Sequence, residues 1–264
     1  MGAQAGYVHG SDDPREAERL ERQSAFFSPL FHPLLPAGPG DRVLDLATAV
    51  GAMAARLHQR SPGAWIAGLD LRMSQLRYAR RNHPTAAAWV QADAARMPFR
   101  DGSFDRMYSS WFLEHVPRPV DILREVHRVL APSGRCLFAE VDNRTLRTRP
   151  ESADVTEVMA RLNEAQLRGG GDPYVGVKLE DHFRQAGFGE VEVRPFDVDG
   201  TGRDLALFRG AVAEFAEILE SLDESLGPGM VPTIRRAAEH LRALPDTPGG
   251  EFFFRGYVAL GTKA

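Results

Sequence analysis

Five short apolar runs, each bounded by polar or turn-forming residues, divide the first half of the chain. They lie at residues 43–46, 64–69, 87–92, 104–110 and 135–141. Runs of this length predict buried strands, and continuous hydrophobicity favours parallel strands that are covered on both faces. Helix-forming segments separate most of the runs. The pattern therefore predicts a doubly wound α/β sheet with right-handed crossovers and helices on both faces.

Amphipathic spacing identifies the clearest helix and the closing strands. Val120, Leu123, Val126 and Leu130 recur at intervals of three and four, which predicts a helix over residues 119–130 with one apolar face. Polar and apolar residues alternate over 190–196, and a further apolar run covers 251–261. These two stretches predict a sixth strand and a seventh, closing strand.

The segments on either side of the strand pattern predict additional elements. Residues 1–36 predict a polar arm and then a charged helix that starts near Pro14, followed by an aromatic stretch over 26–31. Those aromatic side chains either pack in the core or form part of a lid. Residues 143–188 interrupt the strand rhythm with helices and a triple-glycine break, which predicts a cap insertion after the fifth strand. Residues 37–264 then form the main domain.

Composition excludes several classes of protein. The net charge of −4 over 264 residues argues against a general nucleic-acid binder. The single cysteine, Cys136, allows neither an intrachain disulfide nor a cysteine metal cluster, and the scattered histidines predict no metal site. The first 25 residues contain no apolar stretch typical of a signal peptide. We therefore expect a cytoplasmic protein, monomeric or homodimeric, that acts on a small molecule without binding nucleic acid or membrane.

The connection after the first strand has the features of a ligand-binding turn. It consists of small residues over 47–51, which would let a ligand approach backbone N–H groups at the carboxyl end of a parallel strand. Asp45 lies at the end of the first strand. Asp70 ends the second strand, 25 residues later, where a carboxylate either accepts ribose hydroxyls or caps the following helix. Asp93 follows the third strand and has the same two interpretations.

Several motifs in order resemble those of the class I S-adenosylmethionine (SAM)-dependent methyltransferases. Residues 43–51 resemble their motif Val-Leu-Asp-x-Gly-x-Gly-x-Gly, with Ala47 and Ala49 in place of two glycines. Residues 97–105 resemble the segment before the fourth strand, and residues 129–135 resemble the Val-Leu-x-Pro-Gly-Gly turn before the fifth. The resemblance implies a Rossmann-like seven-stranded sheet, mostly parallel with an antiparallel last strand, and SAM or S-adenosylhomocysteine as cofactor.

The resemblance also implies the site residues. Its cofactor-binding positions correspond here to Tyr7, Gln23, Asp45, Ala47, Thr48, Gly51, Asp70, Leu71, Gln75, Asp93, Ala94, Ser110 and His115. Trp111, Asp142 and Tyr174 are the candidate substrate-binding residues, and Glu140, at the end of the fifth strand, is the candidate catalytic base. The neighbouring pair Glu114 and His115 suggests acid–base chemistry. We favour a packed histidine near the cofactor instead, because Leu-x-His-Val is a framework element of the resembling family.

These features predict transfer of a methyl group from SAM to an O, N or C atom of a small molecule, of the kind found among bacterial secondary metabolites. The Asn-Pro-Pro-Tyr type of motif that the family uses on bases and amides is absent from residues 109–112, which argues against a DNA adenine methyltransferase. The alanine replacements and the unassigned base leave an alternative open. In it, the protein binds SAM but catalyses a cyclisation, rearrangement or elimination in natural-product biosynthesis.

Overall fold

The computed structural model describes residues 14–201 and 204–264, which build one mixed sheet with helices on both faces. The strands are β1 (Arg42–Leu46), β2 (Trp65–Asp70), β3 (Ala88–Gln91), β4 (Phe104–Ser110), β5 (Leu130–Val141), β6 (Arg147–Arg149), β7 (Glu190–Gly200) and β8 (Glu251–Thr262). The helices are α1 (Pro14–Phe31), α2 (Ala52–Arg60), α3 (Met73–Asn82), α4 (Pro119–Val129), α5 (Ala153–Arg168), α6 (Leu179–Gln185), α7 (Leu205–Glu220), α8 (Asp223–Leu226) and α9 (Val231–Ala243).

The strand order confirms the predicted topology. The order is β3-β2-β1-β4-β5-β8, the first five strands are parallel, and β8 runs antiparallel between β5 and β7. Strands β2 and β3 follow β1 on one side of the sheet, and β4 and β5 lie on its other side. The strand order therefore reverses between β1 and β4, and the carboxyl ends of these two strands border a crevice. The fold therefore places its ligand site at the tips of β1, β2 and β4.

Two details of the predicted fold are corrected within the described residues. The sheet has eight strands rather than seven, because β6 pairs antiparallel with the first residues of β8. The fifth strand begins at Leu130 rather than at residue 135, because Leu130 already pairs with Phe104 of β4 across an irregular register.

Helices α1, α5, α7 and α9 form a layer that we call the cap. α9 packs on both α5 and α7, and α1 packs on α7. Ion pairs join the layer: Arg236 of α9 bonds Asp154 of α5 at 2.7 Å, and Arg242 of α9 bonds Glu220 of α7 at 2.6 Å. The cap thus includes α5, from the predicted insertion, and also the helices between β7 and β8, which the sequence pattern did not identify as part of a cap. The proposed boundaries of the arm and the insertion remain predictions.

The two faces of the sheet have separate apolar cores. One core joins the cap to the sheet and contains Phe208, Phe215 and Phe252. The other lies under α4 and α6 and contains Phe104, Phe138 and Phe183. Among the described residues, no helix is both long and apolar enough to cross a membrane.

Candidate functional site

A cavity of about 1160 Å³ lies between the carboxyl ends of the parallel strands and the cap. Its sheet side is lined by the turn after β1 and by the acidic ends of β1 and β2. Its cap side is lined mainly by apolar side chains of α1, α5, α7 and β8, namely Phe27, Met159, Leu162, Phe215, Ile218, Leu219 and Phe254. We call these parts the acidic half and the apolar half. One continuous cavity thus joins two chemically different environments.

The turn after β1 is held in a conformation that non-glycine residues rarely adopt. Ala47 and Ala49 have φ angles of 57° and 47°, in the left-handed region, and Gly51 has a φ of 80°. A Cβ atom added to Gly51 would lie 2.5 Å from the Trp89 ring, so only glycine fits there. Thr48 N donates to the carbonyl of Leu69 at 2.9 Å and fixes the turn against β2. The two alanines therefore reproduce the backbone of the glycine-rich motif at an energetic cost.

That cost leads to a stability prediction. Ala47→Gly is expected to raise the free energy of unfolding by up to about 1 kcal/mol, because the left-handed conformation costs an L-residue roughly 1–2 kcal/mol and the more flexible unfolded chain offsets about 0.4–1 kcal/mol of the gain. Urea denaturation measures the change. Ala160→Gly, on the exposed face of α5, is the matched control and should lower stability by about 1 kcal/mol. A loss of stability in both variants would contradict the assignment of strain to the turn.

Two carboxylates line the acidic half. Asp45 is 3% exposed and accepts a hydrogen bond from the Thr48 hydroxyl at 2.5 Å. Burial raises the pKa of Asp45 to about 7, because its effect is larger than that of the hydrogen bonds, which lower the pKa. Asp70 accepts from the backbone N–H of Ala49 at 2.9 Å and of Arg72 at 2.8 Å, one on each oxygen. Burial also raises the pKa of Asp70. Each Asp70 oxygen keeps a lone pair for a ligand, as a diol requires.

The end of β3 completes the acidic half. Asp93 accepts from Ala95 N through Oδ1, and both Asp93 and Ala94 line the cavity. The Leu71 side chain is 51% exposed at the cavity wall, while Gln75 is 6% exposed. An apolar surface beside a carboxylate suits a flat base with an exocyclic amine.

The segment after β4 crosses from the acidic half to the apolar half. Ser110, Trp111, Glu114 and His115 all line the cavity. Trp111 has a φ of 56°, a strained value for so large a residue, and its ring packs edge-on against Phe27, Phe31 and Phe196. Such strain clusters at functional sites, which supports a role for Trp111 at the cavity. Burial lowers the pKa of His115, consistent with a neutral imidazole packed in the wall.

Glu140 is not brought to the cavity. Its side chain is fully buried, and its Oε1 accepts from the backbone N–H of Leu113 at 2.9 Å and of Phe112 at 3.2 Å. The N–H of Glu114 lies 3.4 Å from its Oε2. Burial, with a contribution from the neighbouring Glu114, raises the pKa of Glu140 to about 8. The carboxyl group thus holds the segment after β4 in place, which corrects its interpretation as a base that faces the substrate.

Two other candidates, Asp142 and Tyr174, are likewise missing from the cavity wall. The Asp142 side chain caps the short turn Asn143–Thr145 and pairs with Arg144 at 2.7 Å, so it faces away from the cavity. Tyr174 lies under the Arg144 guanidinium, at 5.1 Å from its ring centre. Tyr7 lies outside the described residues. Gln23 of α1 lines the cavity, and its contact with a cofactor stays a prediction.

A buried polar cluster on α1 and α7 is missing from the sequence prediction. Arg19 is 5% exposed and lines the cavity. Its guanidinium donates to both carboxylate oxygens of Glu16 at 2.8 Å and forms an ion pair with Glu214 of α7 at 3.5 Å. Burial raises the pKa of Glu214 to about 7, although Arg19 lowers it. The sequence pattern predicts only a charged helix here and does not single out Glu16 or Arg19. Their spacing of three residues, and the further four to Gln23, is the signal that puts them on the cavity side of α1.

Comparison with known proteins identifies the class of the domain. A family model described as a methyltransferase domain matches residues 44–138. The ubiquinone/menaquinone biosynthesis C-methyltransferase of Paracoccus denitrificans is 34% identical over 149 residues, which are 52% of this chain and 59% of that protein. The matches to the first four curated relatives span between 20% and 59% of those proteins' lengths. Residues 44–138 of the chain therefore carry a methyltransferase domain, as the motifs predict.

Solved structures share the fold at low sequence identity. Phosphoethanolamine N-methyltransferase 2 of Haemonchus contortus, in complex with SAM, is 19% identical with a TM-score of 0.58, covering 91% of this chain and 52% of that chain. The [4+2]-cyclase SpnF is 19% identical with a TM-score of 0.57, covering 91% and 80%. The same fold is thus found in a methyltransferase and in a cyclase.

The residues of the acidic half fit the cofactor of this class. Asp70 offers two partly occupied oxygens to a diol, and Asp93 offers an acceptor to an exocyclic amine. Asp45 offers negative charge near the turn for a cationic group, because a nearby positive charge favours the ionised carboxylate. The small residues 47–51 leave space beside the backbone. Within the described residues, no cluster of side chains is suited to hold a metal ion.

Proposed function

We propose that this protein transfers the methyl group of SAM to an O, N or C atom of a small, largely apolar acceptor. The observation that carries the proposal is the single cavity whose acidic half suits the cofactor and whose apolar half lies against it under the cap. A nucleoside cofactor needs hydrogen-bonding groups at the strand tips, while an apolar acceptor gains affinity from buried aromatic and aliphatic side chains. The two halves meet at Trp111 and Glu114, where the acceptor and the methyl group would come together.

The contribution of the chain to the reaction is mainly positioning. When bound, the cofactor supplies an electrophilic methyl group on a sulfonium, and the protein must align the acceptor with it. Asp45, Asp70 and Asp93 orient the cofactor, and the rigid aromatic cluster around Trp111 limits the directions from which an acceptor can enter. The cap excludes water, which would otherwise compete for the polar groups of the site.

The apolar half favours an acceptor with a ring system. Phe27, Phe215 and Phe254 supply aromatic surfaces, and Arg19, Asn143 and Gln166 supply polar groups that can orient a ring substituent. The curated relative from Paracoccus denitrificans is named for ubiquinone/menaquinone biosynthesis. We therefore propose a quinol-like or similarly substituted aromatic acceptor, within the broader group of small molecules that the sequence suggests.

Methyl-labelled SAM tests this function. We expect the purified protein, incubated with labelled SAM and a panel of reduced quinones and phenols, to give a product that carries the label and is heavier by one methyl group, together with S-adenosylhomocysteine. Mass spectrometry detects both. A product of unchanged mass, formed only when SAM is bound, would instead favour the cyclisation or rearrangement alternative. No binding of SAM at millimolar concentration, measured by calorimetry, would reject both functions.

A further inference from the structure

Glu114 is a buried carboxylate that the cofactor site does not require. It follows β4, is 7% exposed and lines the cavity where the acidic and apolar halves meet. A buried carboxylate is costly unless it is hydrogen-bonded or has a function that needs its charge. The surrounding contacts show how it is held.

The backbone of Glu114 is fixed from two sides. Its carbonyl oxygen accepts from Asp172 N at 2.8 Å, and its N–H lies 3.4 Å from Glu140 Oε2. A Cβ added to Gly171 would lie 2.2 Å from the same carbonyl oxygen, so the chain after α5 packs directly against it. Glu140, Gly171 and Asp172 together leave the Glu114 side chain little freedom in its direction.

The side chain is oriented by the cap. Gln166 of α5 is 1% exposed and donates its Nε2 to Glu114 Oε2 at 2.7 Å. The Oε1 of Gln166 lies 3.4 Å from Asn143 Nδ2, which also donates to Asn163 at 2.9 Å. The other carboxylate oxygen of Glu114, Oε1, accepts no hydrogen bond from the described residues, and His115 Nε2 lies 3.8 Å from it. Gln166 therefore occupies Oε2 and leaves Oε1 to a ligand.

We infer that Glu114 accepts a proton from a hydroxyl group of the acceptor, and that the acceptor is a hydroxylated ring. The inference rests on the proposed methyl transfer and specifies its substrate class. A ring hydroxyl that reaches Oε1 would be recognised by a charge-assisted hydrogen bond inside an apolar chamber. An ether or a quinone carbonyl at the same place has no proton to donate and would face the carboxylate unfavourably.

The proposed step moves one proton to Glu114 and one methyl group to the acceptor. The O–H bond of the acceptor breaks, its proton moves to Glu114 Oε1, and the electron pair stays on the acceptor as a phenolate. That pair, on the oxygen or delocalised to a ring carbon, forms the bond to the transferred methyl carbon, while the sulfur keeps the pair of the bond that breaks. Where a ring carbon is methylated, the C–H bond at that carbon then breaks and a proton returns to the ring oxygen, which restores the aromatic hydroxyl. The proton leaves Glu114 for solvent when the product leaves. Transfer to a positioned base contributes typically 10²–10⁴-fold to such rates.

Binding without turnover tests the inference. The test uses protein saturated with S-adenosylhomocysteine and two probes. One probe is 1,4-naphthohydroquinone, kept under anaerobic conditions, and the other is its dimethyl ether, 1,4-dimethoxynaphthalene. Calorimetry should show that the wild-type protein binds the hydroquinone at least tenfold more tightly than the ether. Glu114→Gln keeps a carbonyl oxygen for Gln166 but cannot accept the proton, and it should lose this preference. Its affinity for S-adenosylhomocysteine should change less than twofold.

Two further variants separate the proton acceptor from a merely structural carboxylate. Glu157→Gln, on the exposed face of α5, is the matched control and should keep the tenfold preference. Gln166→Leu releases Glu114 Oε2 and should reduce the preference several-fold. Equal binding of both probes to the wild type, no binding of either, or a preserved preference in Glu114→Gln would overturn the inference. Failure of S-adenosylhomocysteine to bind the wild type would instead reject the proposed function itself.

Discussion

Glu140→Ala is expected to lower the free energy of unfolding by about 3–5 kcal/mol at pH 4.5, where linkage to the ionisation of Glu140 does not yet reduce the stability of the wild type. The substitution removes the acceptor of the Leu113 and Phe112 N–H groups in a fully buried site. Each buried donor left without a partner costs about 1–3 kcal/mol, and the volume left by the side chain adds to this. Urea denaturation followed by circular dichroism measures the loss. A change below about 1 kcal/mol would show that water or a rearranged segment replaces the carboxyl group.

Glu140→Gln is the matched control and adds a dependence on pH. The pKa of Glu140 is raised from 4.5 to about 8 in the folded state. Between these values the folded protein holds a proton that the unfolded chain has released, so stability falls as pH rises through this window. One such group contributes a slope of up to about 1.4 kcal/mol per pH unit. At pH 4.5 and below, the variant should be about as stable as the wild type, because glutamine resembles the protonated acid, and above that pH it should become the more stable of the two.

The free energy of unfolding of the wild type should therefore fall more steeply with rising pH than that of Glu140→Gln between pH 5 and pH 8. Asp45 and Glu214, with pKa values raised to about 7, give both proteins a remaining negative slope up to that pH. Parallel slopes in the two proteins would contradict a protonated Glu140. A methyl-transfer rate in Glu140→Gln equal to that of the wild type would also agree with the placement of Glu140 away from the cavity.

The acidic half of the site could be predicted from the sequence because its signals are local. Asp45 and Asp70 each follow an apolar run directly, and parallel strands bring their carboxyl ends to the same edge of the sheet. The turn after Asp45, over residues 47–51, is short and built mainly of small residues. Strand ends fix both the position and the approximate direction of these side chains, so one chain segment at a time is enough for the prediction.

The apolar half could not be predicted because it depends on which helix faces meet. The apolar residues of α7 recur on one face of the helix. This pattern does not show whether that face covers a sheet, another helix or a cavity. The same holds for Arg19, whose burial depends on Glu214, 195 residues away. Glu140 shows the complementary limit. Its partners are backbone N–H groups that the pairing of β4 with β5 brings to it, and backbone donors leave no trace in a sequence.

Asp70→Ala is expected to weaken SAM binding by about 1–3 kcal/mol, or roughly five- to 150-fold, because a buried hydrogen-bond partner and its charge are lost. Asp70 also holds the turn through Ala49 N, so Asp70→Asn separates the two effects: one amide oxygen can still accept a backbone N–H, while the charge is gone. Asp105→Ala is the matched control, because Asp105 bonds Arg42 at the opposite end of the same strands and should leave affinity unchanged. Calorimetry with SAM measures all three variants. Unchanged affinity in Asp70→Ala would mean that this carboxylate only caps the turn, and the acidic half would then bind its ligand through Asp45, Asp93 and the backbone of residues 47–51.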